Sequence, residues 1–282
     1  MVARVLQELV ELGAGVVDLV LPSACAGCGA ERVVLRFGVC PHCVTALEAL
    51  RPYATAPEPS PAGLPPVVAV GAYAGVLRGA LLAYKEKGRH RLARPLGALL
   101  ATAVVRAATD AGGGRGTRLL VLPVPSTAAA VRQRHGDHMA RLAAHAVRRL
   151  RIAGWHADVV QPLRASPRAD SALLGAADRA AAAESSLRIR RGGVRSLSRL
   201  VRIGGTLVVV DDIVTTGATL AAVTRRLDEV NLQVAGAAVL AATRLRRRRP
   251  DRSFGLASGM AEWANRDESV PRTRGDGQAS AR

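Results

Sequence analysis

Aromatic side chains are nearly absent from this chain: two Phe, two Trp and three Tyr make up 2% of its 282 residues. A core without them has to be assembled from Ala, Val and Leu, and a hydrophobic content of 49% supplies enough of these for a globular protein. Lysine is almost missing as well. Lys85 and Lys87 are the only two, so a formal net charge of +18 is carried almost wholly by arginine. An excess of that size suits polyanionic partners such as nucleic acid or phosphorylated ligands, and a compositional bias towards Ala, Arg and Gly would produce it equally well. No stretch approaches the roughly 18 to 20 apolar residues that span a bilayer. Near the start, Glu8, Glu11 and Asp18 interrupt what an export signal would need as an apolar run, and Val5, Leu6, Leu9, Val10, Leu12, Val16 and Val17 form one face of a short amphipathic helix instead. The expected location is cytoplasmic.

Cysteine is scarce but concentrated. All four lie between residues 25 and 43, as Cys25-Ala-Gly-Cys28, eleven intervening residues, and Cys40-Pro-His-Cys43. Two C-x-x-C knuckles at this separation can set four thiolates tetrahedrally around one Zn²⁺, and a closed four-thiolate set leaves no coordination position for a substrate. The implied role is structural. Disulfides are the competing reading, disfavoured in a reducing compartment, and His42 inside the second knuckle is a spectator.

One thirteen-residue stretch organises the rest: Leu207-Val208-Val209-Val210-Asp211-Asp212-Ile213-Val214-Thr215-Thr216-Gly217-Ala218-Thr219. Four apolar residues predict a buried parallel strand, two carboxylates end it, and Leu220, Val223, Leu227 and Val230 predict a helix after the Thr/Gly loop. The loop therefore stands at a helix N-terminus. Free N–H groups, the positive end of the helix dipole and the Thr215, Thr216 and Thr219 hydroxyls suit a phosphate, and Gly217 allows close backbone approach. Asp211 and Asp212 cannot attract a phosphate, but carboxylates accept hydrogen bonds from vicinal sugar hydroxyls. Together they point to a ribose 5-phosphate unit.

The remaining organisation reads as four parts: 1–50, a helix and zinc module; 51–66, a linker with six prolines; 67–245, an α/β domain; and 246–282, a disordered basic tail beginning in an Arg run. Within the α/β part, Val67 to Tyr73, Leu119 to Leu122 and Val234 to Ala241 read as strands. Val76, Leu77, Ala80, Leu81 and Tyr84 mark a helix ending near Lys85, with Gly88 as its stop. Lys85 is either a solvated helix end or a phosphate contact. The strand ending at Pro123-Val-Pro125 should face the ligand crevice. Arg132 to His138 reads as a basic loop, and 161–205 as a mobile lid.

The motif stretch resembles, at every position, the 5-phosphoribosyl-1-pyrophosphate (PRPP) motif of type I phosphoribosyltransferases. With the four-Cys knuckle, the Tyr84-Lys85 helix end and the Pro-Val-Pro strand end in this order, residues 15 to 245 resemble the ComF family. That resemblance implies a Rossmann-like type I phosphoribosyltransferase domain carrying an N-terminal zinc finger. It implies PRPP bound with Mg²⁺ by Asp211, Asp212, Thr215, Thr216, Gly217, Ala218, Thr219 and Lys85, the two aspartates being catalytic, and Zn²⁺ on Cys25, Cys28, Cys40 and Cys43. The implied activity is transfer of a phosphoribosyl group to an unknown acceptor. The alternative it implies is a non-catalytic factor in DNA uptake during natural transformation, with single-stranded DNA and a helicase-like protein as partners. The chain departs from the family in Arg134-His135-Gly136-Asp137-His138, where an aromatic and two amides are expected, and at Ser171 and Ala182, where Gln and Asn are expected.

Overall fold

The computed structural model describes residues 24–166 and 186–243, all belonging to one compact unit, Met1–Arg246. The amphipathic helix expected before residue 20, the positions Ser171 and Ala182, and the tail 246–282 lie outside the described residues. In chain order the elements are α1 (Pro41–Glu48), β1 (Tyr53–Thr55), β2 (Val67–Ala72), α2 (Gly75–Glu86), α3 (Ala93–Asp110), β3 (Leu119–Pro123), α4 (Ala128–Gln133) and α5 (His138–Ile152). They continue with β4 (Ala157–Val159), β5 (Leu163–Ala165), β6 (Leu187–Ile189), α6 (Arg191–Arg202), β7 (Thr206–Val214), α7 (Ala218–Asp228) and β8 (Gly236–Ala242).

Strands that read as unbroken apolar runs must be covered on both faces, and β2, β3, β7 and β8 are. They form the centre of a six-stranded sheet ordered β1-β2-β8-β7-β3-β4, parallel throughout except that β1 runs antiparallel to β2. Alternate side chains divide its core in two. Val68, Val70, Val121, Val208, Val210 and Leu240 pack under α2, α3 and α5, whereas Val67, Ala69, Leu120, Leu122, Val209 and Val239 pack under α6 and α7. The shortage of aromatics is met by close approach. A Cβ added at Gly97 of α3 would lie 2.5 Å from His145 Cβ of α5, so these two helices touch nearly backbone to backbone. By length and composition the helical segment His90–Asp110 would also suit a membrane. Here it is a core helix, with Leu96, Leu100, Val104 and Ala107 buried against the sheet.

The topology makes one crevice. From β3 the chain passes through α5, on one face, to β4 on the outer side; from β7 it passes through α7, on the other face, to β8 on the opposite side. Loops leaving neighbouring strands in opposite directions leave a gap beyond their carboxyl ends, which is where open α/β sheets hold ligands. The register brings Pro123 of β3 beside Val210 of β7, so the Pro-Val-Pro end and the acidic pair border the same gap.

Three segments carry more structure than their sequence implies. Residues 51–66, expected as a linker, include β1, which pairs with β2 in the register Tyr53↔Ala69, and their Ala62 carbonyl accepts a 2.7 Å bond from Arg225. The basic loop is shorter than 132–138: Arg132 and Gln133 close α4, which Thr127 caps, and His138 opens α5, which Asp137 caps by accepting from the Met139 and Ala140 N–H groups, so the turn is confined to Arg134 to Asp137. Within 161–205, the described residues form the antiparallel β5–β6 pair and helix α6, leaving 167–185 outside the description.

Candidate functional site

Cys25, Cys28, Cys40 and Cys43 place their sulfurs within 4.8 Å of one another, and the Cys28 and Cys40 sulfurs are 3.8 Å apart. A tetrahedron with Zn–S arms of about 2.3 Å has edges of about 3.8 Å. The surroundings also suit thiolates. Burial alone would raise the Cys25 thiol, but N–H donors from Cys28, Cys40 and Gly27 outweigh it and hold the thiol down at about 6, the Cys40 N–H lying 3.2 Å from Sγ. Cys43 is pushed up by burial and by its three neighbouring sulfurs, and a coordinating cation would displace its proton. The four free thiols therefore fit a structural Zn²⁺.

At the end of β7 the two carboxylates have different surroundings. Asp212 is 5% exposed, and its Oδ2 lies 2.8 Å from Lys85 Nζ and 3.2 Å from His138 Nε2. Burial would raise its pKa, yet the His138 bond and the Lys85 charge prevail and keep it below the usual carboxylate range. Asp211 is half-buried, and its Oδ1 accepts the Asp212 N–H at 2.8 Å. Burial, followed by repulsion from the neighbouring charge of Asp212, pushes it up to about 7. One member of the pair is therefore held ionised while the other gives up its proton only near neutrality, the divergence expected when a charge partner reaches only one of two adjacent acids.

His138, absent from the sequence-derived site, is fixed from three sides. Asp137 starts α5 and makes His138 its first residue, the Tyr84 hydroxyl donates to the His138 carbonyl at 2.8 Å, and Arg134 approaches Nδ1 at 3.5 Å. Tyr84 is itself buried, and that burial pushes its phenol up to about 12. The signal for the cap was available, since Asp before a helical apolar stripe marks an N-terminus. The 74-residue reach from His138 to Asp212 was not.

Beyond the acidic pair, Thr215 is exposed, Thr216 and Thr219 are half-buried, and Gly217 caps α7 at φ 73°. A glycine is required there twice over: the φ is left-handed, and a Cβ would lie 3.0 Å from Leu64 and 3.1 Å from Pro57. The proline-rich segment is thus the floor of the loop. On the β3 side a cleft of about 490 Å³ opens between the Pro123 to Ser126 turn and the β5–β6 pair, with Arg132, Arg164, Arg190 and Gln161 in its wall. Asp137, also in that wall, is engaged by Ser126 Oγ at 3.1 Å as well as by its cap bonds. The structure thus joins Asp211, Asp212 and Lys85 with the Thr215 to Thr219 loop on neighbouring elements, and keeps the four cysteines apart as a separate centre.

Residues 172–264 match the family model of the phosphoribosyl transferase domain. The match takes in β7, the acidic pair, the Thr/Gly loop and α7, and it supports a PRPP-binding, phosphoribosyltransferase-like function for that part of the chain. No curated protein matches the chain.

Proposed function

We propose that the chain binds PRPP in the crevice between β3 and β7 and transfers its phosphoribosyl group to an acceptor, as a member of the ComF family. The observation that carries this reading is the acidic pair, fastened by Lys85 and His138 and followed directly by a glycine-capped helix start. The 5-phosphate would take the N–H groups and hydroxyls of Thr215 to Thr219, where the helix dipole favours negative charge. The ribose hydroxyls would donate to Asp211 and Asp212. The pyrophosphate would extend towards the cleft with Arg132, Arg164 and Arg190, none of them ion-paired among the described residues. Mg²⁺, a hard cation that prefers oxygen, would accompany the pyrophosphate and neutralise part of its charge. In the transfer, the acceptor lone pair forms a bond to ribosyl C1 as the C1–O bond breaks, and pyrophosphate leaves with that electron pair. Fixed cations near the departing group stabilise the charge it acquires.

The raised pKa of Asp211 gives this reading a pH signature. An ionised carboxylate is an acceptor only, so ribose hydroxyls bind the deprotonated form, and protonation competes with ligand. Affinity for ribose 5-phosphate should be constant above pH 8 and weaken as pH falls through about 7, approaching about tenfold per pH unit below it. Calorimetric titration between pH 6 and 8.5, with inorganic phosphate as the control for titration of the ligand itself, measures this. An affinity flat across that range would remove Asp211 from the ribose contacts.

A second reading, a DNA-associated factor, draws on one specific observation. Arg188, Arg190, Arg191, Arg195, Arg199 and Arg202 are all exposed on β6 and α6, and no carboxylate occurs from 186 to 205. Arg188 even stands directly opposite Arg164 in the β5–β6 register, a like-charge pairing that costs stability unless an external anion relieves it. Binding of single-stranded DNA through this face should fall steeply with salt and be unaffected by Asp211→Asn.

A further inference from the structure

We propose that the zinc knuckle is a working part of the phosphoribosyl site: it seats helix α2 so that Lys85 meets Asp212. The proposal deepens the PRPP reading and rests on it for its consequence, though not for its geometry.

Helix α2 touches the knuckle near its start and the acidic pair at its end. A Cβ added at Gly79 would lie 2.5 Å from the Gly27 carbonyl oxygen and 2.8 Å from that of Ala26, so the helix backbone rests on the backbone of the first knuckle. Gly27 is wedged in turn, its own hypothetical Cβ falling 2.8 Å from both Cys43 Sγ and Val76 Cγ1. Past the helix end, Arg89 Nη1 donates to the Ala24 carbonyl at 2.6 Å. Cys25, Cys43 and Leu47 belong to the same continuous core as Leu77, Ala80, Leu81 and Tyr84.

Contacts between glycine backbones contain no flexible side chain to absorb a displacement. A shift of the knuckle therefore passes into the helix as a rigid body. Six residues along α2 from Gly79, a distance of about 9 Å, Lys85 makes its 2.8 Å contact with Asp212 while Tyr84 bonds to His138. The knuckle has few means of holding its own shape. Between residues 24 and 40 its backbone pairing consists of a few turn bonds, the Arg36↔Val39 bridge and one longer tie, from the Ala26 N–H to the Gly38 carbonyl, so the shape that α2 rests on depends largely on four sulfurs being drawn to a common ion. Lys85 is a positioning group for Asp212, and the knuckle acts through it.

The scarcity of lysine supplies the probe. Reductive methylation with ¹³C-formaldehyde keeps the ammonium charge and labels Lys85, Lys87 and the α-amino group, all of which NMR can resolve. Lys85→Arg assigns the Lys85 signal, and Asp212→Asn shows where it moves when the contact is lost. In Gly79→Ala, with zinc content equal to wild type, the Lys85 signal should move the same way while Lys87 stays in place, and affinity for PRPP with Mg²⁺ should drop by about tenfold or more through the coupling. Arg89→Met, which releases the clamp on Ala24 without touching the packed interface, should show the same pattern to a smaller degree and serves if Gly79→Ala does not fold. A Lys85 signal unmoved in the folded, zinc-loaded variants overturns the proposal. If PRPP fails to bind wild type while Lys85 still follows the knuckle, the ligand reading fails and the positioning stands.

Discussion

Lys85→Met should destabilise the protein by about 3 kcal/mol and abolish measurable binding of PRPP, an effect of the size seen when one partner of a buried ion pair is removed. The Lys85 and Asp212 side chains are 22% and 6% exposed, so water cannot take over the role of the ammonium. His138 Nε2 remains at 3.2 Å as the other partner of Asp212. The loss also reaches Asp211, because the charge of Lys85 is one of the influences that lower its pKa. Without Lys85 both acids lose an influence that favours their ionised forms, and a protonated carboxyl offers a sugar hydroxyl less acceptor capacity than a carboxylate. Urea unfolding of wild type and variant at pH 8 measures the stability change, and a difference under about 0.5 kcal/mol, the range of ordinary surface substitutions, would show that the ion pair contributes little.

Asp211→Asn should act in opposite directions on stability and binding. The folded-state pKa of Asp211, about 7 against an ordinary value of 3.8, means that the folded protein binds this proton more tightly than the unfolded chain. The contribution of Asp211 to stability is therefore greatest below about pH 4, declines as pH rises towards 7 and is level above it. Asn keeps the Oδ1 acceptor for the Asp212 N–H and removes the charge. The variant should match wild type near pH 4 and exceed it above pH 7, by up to about 4 kcal/mol from a shift of this size, while binding PRPP far more weakly. Thermal unfolding at pH 5 and pH 8 reads the sign. A stability gain that costs ligand affinity is the behaviour of a residue retained for its function.

How much of this was legible without coordinates depends on the range of the interaction. The β7 motif could be read because each part is local: four apolar residues make a buried strand, and a glycine before a helical stripe makes a loop at a helix start. The cysteine knuckles are local in the same sense, since spacing alone sets their reach. His138 was not legible as a site residue, because its tie to Asp212 joins α5 to β7 through the sheet order. The pairing within the proline-rich segment was not legible for a related reason. Six prolines in 51–66 suggest a tether, but Tyr53 to Thr55 lie at a sheet edge, where a short strand needs one partner and little periodicity. Leu64 and Pro57 acquire their role as the floor under Gly217 only once α7 is packed above them. Lys85 was recognised as unusual by its rarity, and its partner proved to be a carboxylate.

The most direct test of the central claim is a calorimetric titration of PRPP with Mg²⁺ into the zinc-loaded chain and into its Asp211→Asn, Asp212→Asn double variant at pH 8. The expected result is saturable binding at one site per chain in wild type and none in a folded, zinc-replete variant. Absence of binding to wild type, or equal binding to both proteins, would contradict the assignment of the acidic pair and the Thr/Gly loop as a phosphoribosyl site.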